Sequence, residues 1–98
     1  MDWRDLDKYR LVIYSTSWCS DCRRLKAFMD ENAVKYDIVD IDIDIAAAAE
    51  LRRATGREAI PFVKIGDLGF IRGWHDEAPM RWDEGIFFRE AEAVIKGV

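Results

Sequence analysis

The run YRLVIYS, Tyr9 to Ser15, ends four residues before Cys19, and Cys19 and Cys22 are the only cysteines of the chain. A short stretch so rich in β-branched and aromatic residues reads as a buried strand. Directly after the thiols the periodicity changes. From Ser20 to about Glu31 the apolar residues Leu25, Phe28 and Met29 recur at i, i+3 and i+4 among Arg, Lys and Asp, which is the pattern of an amphipathic helix. Two thiols are therefore pinned between the end of a strand and the first turn of a helix, and any fold must be built around that junction.

The remainder of the chain supplies the partners. VKYDIVDIDI, Val34 to Ile43, sets Tyr36, Ile38, Val39 and Ile41 among acidic residues and reads as a second strand. IAAAAELRRATG joins strong helix formers to basic residues in the last turn and to Gly56, where a left-handed cap is wanted. IPFVKIG reads as a strand opened by Pro61 and GFIRGW as another, with GDL as the hairpin turn between them. A last helix carries Phe87, Phe88, Ala91, Val94 and Ile95 on one face, and Pro79 leaves its start anywhere between Asp76 and Glu84. The order β-α-β-α-β-β-α predicts an α/β fold with a four-stranded mixed sheet flanked by three helices. The first crossover makes a parallel pair and the hairpin an antiparallel one. With 98 residues and no repeat or linker, one domain spanning residues 1–98 is expected.

Half the residues are apolar and 35% are charged, which suits a packed core. The net charge of -4 comes from interleaved acids and bases, so no basic stripe for nucleic acid is present. No apolar stretch approaches the roughly 20 residues needed to cross a bilayer. MDWRDLDKYR has neither a basic leader nor an apolar signal region, so a cytoplasmic location and no membrane association are expected. In such a compartment a disulfide closing so short a loop is a poor structural staple, and the spacing points to chemistry. A structural zinc site needs four ligands, and His75 is the one further candidate of the usual kind. Zinc or an iron–sulfur cluster shared between two chains stays open as the alternative use of the same cysteines.

Thiol–disulfide exchange needs a thiolate as attacker. At the first turn of a helix, Cys19 faces unpaired backbone N–H groups and the positive end of the macrodipole, both of which favour a charged sulfur. Cys22, one turn on and less accessible, is placed to resolve a mixed disulfide formed by Cys19. Cys19 is thus expected to be the nucleophile and Cys22 the resolving thiol. Asp21, between them, opposes the thiolate, and Arg23 and Arg24 follow to offset it.

YSTSWCSDCRRLKAFMD closely resembles the active-site strand and helix of the glutaredoxins and their NrdH-redoxin and mycoredoxin relatives, members of the thioredoxin fold. The resemblance covers roughly residues 10 to 76. It rests on CxxC after the first strand, AIP before the third, and RGWHD after the fourth. It implies a cis Ile60–Pro61 bond beside Cys19 and a backbone at Ile60 that binds an extended thiol substrate. It further implies that the Gly73 backbone and the Asp76 side chain hold the γ-glutamyl end of a glutathione-like thiol.

The departures from the family pattern are specific. Thr16 stands where many glutaredoxins carry a basic residue, Arg72 replaces the first glycine of a pair, and Ser20–Asp21 replaces proline–tyrosine. Trp18 and Trp74 are then the aromatic residues left to flank a substrate, with His75 at the surface. The first strand lacks the buried acid of a thioredoxin proper, which favours the glutaredoxin side of the superfamily. The resemblance implies a monomeric dithiol oxidoreductase that reduces S-thiolated or disulfide-bearing proteins and needs no bound cofactor or metal. Its electrons would come from glutathione, another low-molecular-weight thiol, or thioredoxin reductase. A redoxin-like interaction module without catalysis is the remaining alternative.

Overall fold

The computed structural model describes residues 2–57, 59–73 and 82–97. Trp74, His75, Asp76 and Pro79 lie outside the described residues, as does any placement of the first two and Asp76 at the site. The elements are a 3-10 helix at Trp3–Lys8, β1 (Leu11–Ser15), α1 (Ser20–Glu31), β2 (Asp37–Asp40), α2 (Ile45–Thr55), β3 (Phe62–Ile65), β4 (Gly69–Ile71) and α3 (Glu84–Lys96). The sheet order is β2-β1-β3-β4. β1 and β2 are parallel, with Ser15 opposite Asp40, whereas β3 runs antiparallel to both β1 and β4. The mixed four-stranded sheet and its three α-helices are those expected from the pattern.

The two central strands, β1 and β3, read as nearly continuous apolar runs because both faces of the sheet are covered there. Leu11, Ile13, Val63, Ile65 and Ile71 point into one core with Leu25 and Met29 of α1 and Phe87 and Ala91 of α3. Tyr14 and Phe62, on the other face, pack with Leu51 of α2. Fully burying one such Leu, Ile or Phe side chain contributes about 1.5–3 kcal/mol, so the α1 and α3 stripes read from periodicity are the principal anchors of their helices. Asp83 caps α3 by accepting from the Ile86 amide, which places its start at the late end of the expected interval.

Two expectations about strand length need correction. β1 starts at Leu11, not Tyr9, and β2 occupies Asp37–Asp40, not the whole of Val34–Ile43. β2 is an edge strand whose partner ends at Ser15, after which the chain turns sharply. The Ile43 and Asp44 amides both return to the Asp40 carbonyl, at 3.1 and 2.8 Å. The N-terminal 3-10 helix has no apolar period to announce it. It forms around a reciprocal cap between Asp2 and Asp5. Its Trp3 ring stacks on Phe87 at 5.6 Å and meets Phe28 edge-on at 4.5 Å, closing the α1–α3 face.

Candidate active site

Cys19 is the N-cap of α1. Its backbone is extended (φ -84°, ψ 112°), and its Sγ accepts the Cys22 amide at 3.1 Å. It fills the place that Ser, Thr or Asp takes at most helix starts, with sulfur as the acceptor. A thiolate there gains a charge-assisted hydrogen bond as well as the helix dipole. The Cys19 amide is held in turn by the Thr16 carbonyl at 3.5 Å, and its own carbonyl accepts from Arg23 at 3.3 Å. Strand end, turn and first helical turn thus fix the sulfur from three sides.

Cys19 is 7% exposed and Cys22 is 0% exposed. Burial first, then the hydrogen bond with Cys19, push the Cys22 thiol from its ordinary 9.0 to about 12; the Thr16 backbone opposes them, the charge of the Cys19 sulfur adds to them, and Lys26 opposes least. The second sulfur is therefore a neutral thiol at physiological pH, placed behind the first. Both cysteines are free.

Asp21 does not face the cysteines as a lone charge. Its Oδ1 accepts from Arg24 Nη1 at 2.9 Å. Arg23 turns the other way and donates to the Ser17 carbonyl at 3.4 Å. Of the two arginines placed after the thiols, one therefore neutralises Asp21 and the other braces the turn before Cys19. Trp18 stands 68% exposed immediately before Cys19, with its indole Nε1–H donating to Asp42 Oδ2 at 2.8 Å.

The Ile60–Pro61 bond is cis, as the family pattern implies. Ile60 precedes the β1–β3 ladder, which begins at the Tyr14–Phe62 pair. Thr16 is buried, and among the described residues its hydroxyl has no hydrogen-bond partner. Arg72 lies over the Phe62 ring at 5.7 Å and helps line an open hollow of about 590 Å³ with Arg57, Phe70 and Glu90. Gly73 sits with φ +75° in a tight cradle, its amide donating to Glu90 Oε1 at 2.6 Å and its carbonyl accepting from Asp83 at 2.8 Å. Both polar groups of that backbone are satisfied inside the fold.

The structure thus joins Thr16, Cys19 and Cys22 through hydrogen bonds and sets Trp18 beside them, and the Ile60–Pro61 bond is cis. Three residues in contact with the expected site residues were not anticipated. Asp42 holds Trp18, Glu90 occupies the Gly73 amide, and Trp82 packs against Gly73. Asp42 and Glu90 are ordinary acids in acidic surroundings, and no local pattern says that they reach across 24 and 17 residues of sequence. Among the described residues, no group of three or more His, Cys, Asp or Glu gathers as a metal site. No described helix is long and apolar enough to cross a membrane.

Comparison with known proteins agrees with this geometry. A Mycobacterium tuberculosis (strain H37Rv) protein named as a glutaredoxin is 43% identical over 58 residues, which are 58% of this chain and 69% of that protein. The glutaredoxin-like protein NrdH of Escherichia coli K12 is 31% identical over 61 residues, 62% of this chain and 74% of its own. A buckwheat glutaredoxin solved as a glutathione complex superposes with a TM-score of 0.53 at 26% identity. That match covers 69% of this chain and 66% of the buckwheat chain, just under two thirds of the latter. A thioredoxin-like protein superposes with a TM-score of 0.63 at 21% identity over 87% of this chain and 99% of its own, which shows the shared fold. The glutaredoxin family model matches residues 11–70, from the first residue of β1 into β4 and across both cysteines, and the chain belongs to the glutaredoxin family.

Proposed function

We propose that the chain acts, as one domain in a reducing compartment such as the cytoplasm, as a dithiol oxidoreductase that reduces mixed disulfides on proteins or small thiols. The observation that carries this reading is the Cys22 amide pointing at the Cys19 sulfur at the start of α1, with the Cys22 thiol buried directly behind. The Cys19 thiolate attacks one sulfur of a substrate disulfide. The Cys19–S bond forms, the substrate S–S bond breaks, and the first substrate sulfur leaves with the electron pair and takes a proton. Cys22 then loses its proton and attacks Cys19 Sγ, so the mixed disulfide breaks and the second substrate thiol is released. The Cys19–Cys22 disulfide that results needs two electrons and two protons from a thiol or a reductase.

Burial suits Cys22 to the second step, because a neutral thiol does not compete with Cys19 for substrate. Trp18 at the rim and the Ile60–Pro61 backbone are the surfaces against which an extended substrate lies, with β-type hydrogen bonds to Ile60. Trp74 and Asp76 are assigned to the same face by family resemblance alone. For the electron donor, the Gly73 amide matters. It is already held by Glu90, and Thr16 supplies no cation three residues before Cys19. Both features favour thioredoxin reductase, or a small thiol bound without a γ-glutamyl clamp, over glutathione.

The test is to offer a glutathionylated peptide to wild type, Cys19→Ser and Cys22→Ser, with glutathione and separately with thioredoxin reductase. Wild type should turn over faster with the reductase, and Cys19→Ser should be inactive with both. Equal slowness of wild type and Cys19→Ser under every donor would remove the enzymatic reading. Retained turnover by Cys22→Ser with glutathione would replace the two-thiol route by a one-thiol one.

A further inference from the structure

The segment DIDIDI, residues 40–45, alternates like a strand, yet it joins the last residue of β2, Asp40, to the first of α2, Ile45, and serves two purposes. Ile41 packs against the cluster of Tyr14, Leu51 and Phe62. Ile43 and Ile45 do not: they are 79% and 81% exposed, and with Trp18 they are the three most exposed large apolar side chains among the described residues. Scattered exposed apolar residues are ordinary, but these are drawn together by the Trp18–Asp42 bond at the rim of the cysteine site. Ile43 is the residue after Asp42, and Ile45 opens α2 two residues later.

The loop that displays them is held by its own hydrogen bonds. Asp40 accepts the Asp42 amide on its side chain at 2.9 Å and the Ile43 and Asp44 amides on its carbonyl, while Asp44 caps α2 through the Ala47 amide at 3.0 Å. Three carboxylates, of Asp40, Asp42 and Asp44, therefore alternate with the isoleucines along the same loop. On the α1 side, Asp21 is paired with Arg24, Arg23 donates to the Ser17 carbonyl, and Lys26 acts on Cys22. The loop itself, residues 40–45, carries acidic side chains at Asp40, Asp42 and Asp44 and no basic one.

We propose that Trp18, Asp42, Ile43 and Ile45 form a docking lip for a protein substrate segment that carries apolar and Lys or Arg side chains beside its disulfide cysteine. The proposal rests on the oxidoreductase reading and adds the substrate class. The apolar residues supply contact area, the carboxylates select a cationic partner, and the pre-formed loop lowers the cost of ordering on binding. A second copy of this chain fits less well, because it would set acidic loop against acidic loop.

The test compares three mixed disulfides with glutathione: a 2-hydroxyethanethiol one, a peptide with Leu, Lys and Arg around its cysteine, and a peptide with Ser and Glu there. At about 20 mM salt, wild type should reduce the cationic apolar peptide with kcat/KM about tenfold above the acidic one, and the gap should narrow at about 500 mM salt. Ile43→Ser/Ile45→Ser should lower kcat/KM for the cationic peptide about fivefold, through KM, and leave the hydroxyethyl substrate within about twofold. Equal peptide rates in wild type, or a preference untouched by the double substitution, would overturn the lip while leaving the oxidoreductase intact. A wild type inert toward all three substrates overturns both. Wild-type dimerisation at micromolar concentration that the double substitution abolishes would assign the lip to a second copy and overturn the peptide occupant.

Discussion

The amide of Cys22 donates to the sulfur of Cys19 at 3.1 Å, so helix α1 itself supplies a hydrogen-bond donor to the leading thiol. The same turn buries the second sulfur completely. Accessibility and local field both point to Cys19, whereas Cys22 is a neutral thiol shielded from reagents. A limiting amount of iodoacetamide at pH 7 should therefore alkylate Cys19 alone, and Cys22 should react only after denaturation. Peptide mass mapping reads the site directly. Prior labelling of Cys22 in the native protein would reverse the assignment of nucleophile and resolver.

Arg24 and Asp21 make a pair that bears on the rate of the first step. With the carboxylate neutralised by Arg24, Asp21 opposes the Cys19 anion less than a lone charge would. Arg24→Ala should expose that charge and slow attack on a small disulfide by about three- to tenfold at low salt. Asp21→Asn should speed it modestly, and the double variant should resemble Asp21→Asn. Stopped-flow rates for the four proteins close the cycle. Independent, additive effects would show that the pair does not act on the thiol as a unit.

Gly73 tolerates no side chain. A Cβ built there would lie 2.6 Å from Trp82 Nε1 and 2.8 Å from Phe87 Cβ, and the residue has φ +75°. Gly73→Ala should cost about 2–4 kcal/mol, visible as a lower urea midpoint with unchanged slope. Gly56 has a similar φ of +77° but open space around it, so Gly56→Ala should cost only about 1 kcal/mol. Equal losses at the two positions would mean that backbone conformation, and not the Trp82–Phe87 wall, decides the cost at Gly73.

How far these features were legible in the sequence follows from their range. α1 and its cap could be read because the evidence is local: apolar residues at helical spacing, and a thiol just ahead of them. The faces of α3 and the hairpin at Gly66–Leu68 were legible for the same reason. The ends of β2 were not, because a strand stops where its neighbour stops, and Ser15 lies 25 residues away from Asp40. The cis bond before Pro61 came from family likeness, since nothing in IPF alone requires it. Asp42 and Glu90 escaped altogether. Each acts through one long-range hydrogen bond, and an acid gives no sequence cue to which distant N–H it will meet.

Three protons held by the fold set its behaviour in alkali. Burial raises the Cys22 thiol to about 12, and burial together with hydrogen bonds to Glu50 and Asp30 raises the phenols of Tyr14 and Tyr36 above their ordinary 10.0. Each group keeps its proton in the folded state at pH values where the unfolded chain gives it up. The native state therefore binds more protons, and the derivative of unfolding free energy with pH is negative. This stabilisation is complete below about pH 9, where the unfolded thiol is still protonated, and is lost progressively as pH rises toward 12. Urea midpoints should be lower at pH 9.5 than at pH 8 and lower again at pH 11, with Tyr14→Phe less stable at pH 8 but flatter above pH 10. A midpoint that holds steady or rises across that range would show that these groups ionise as readily in the folded chain as in the unfolded one.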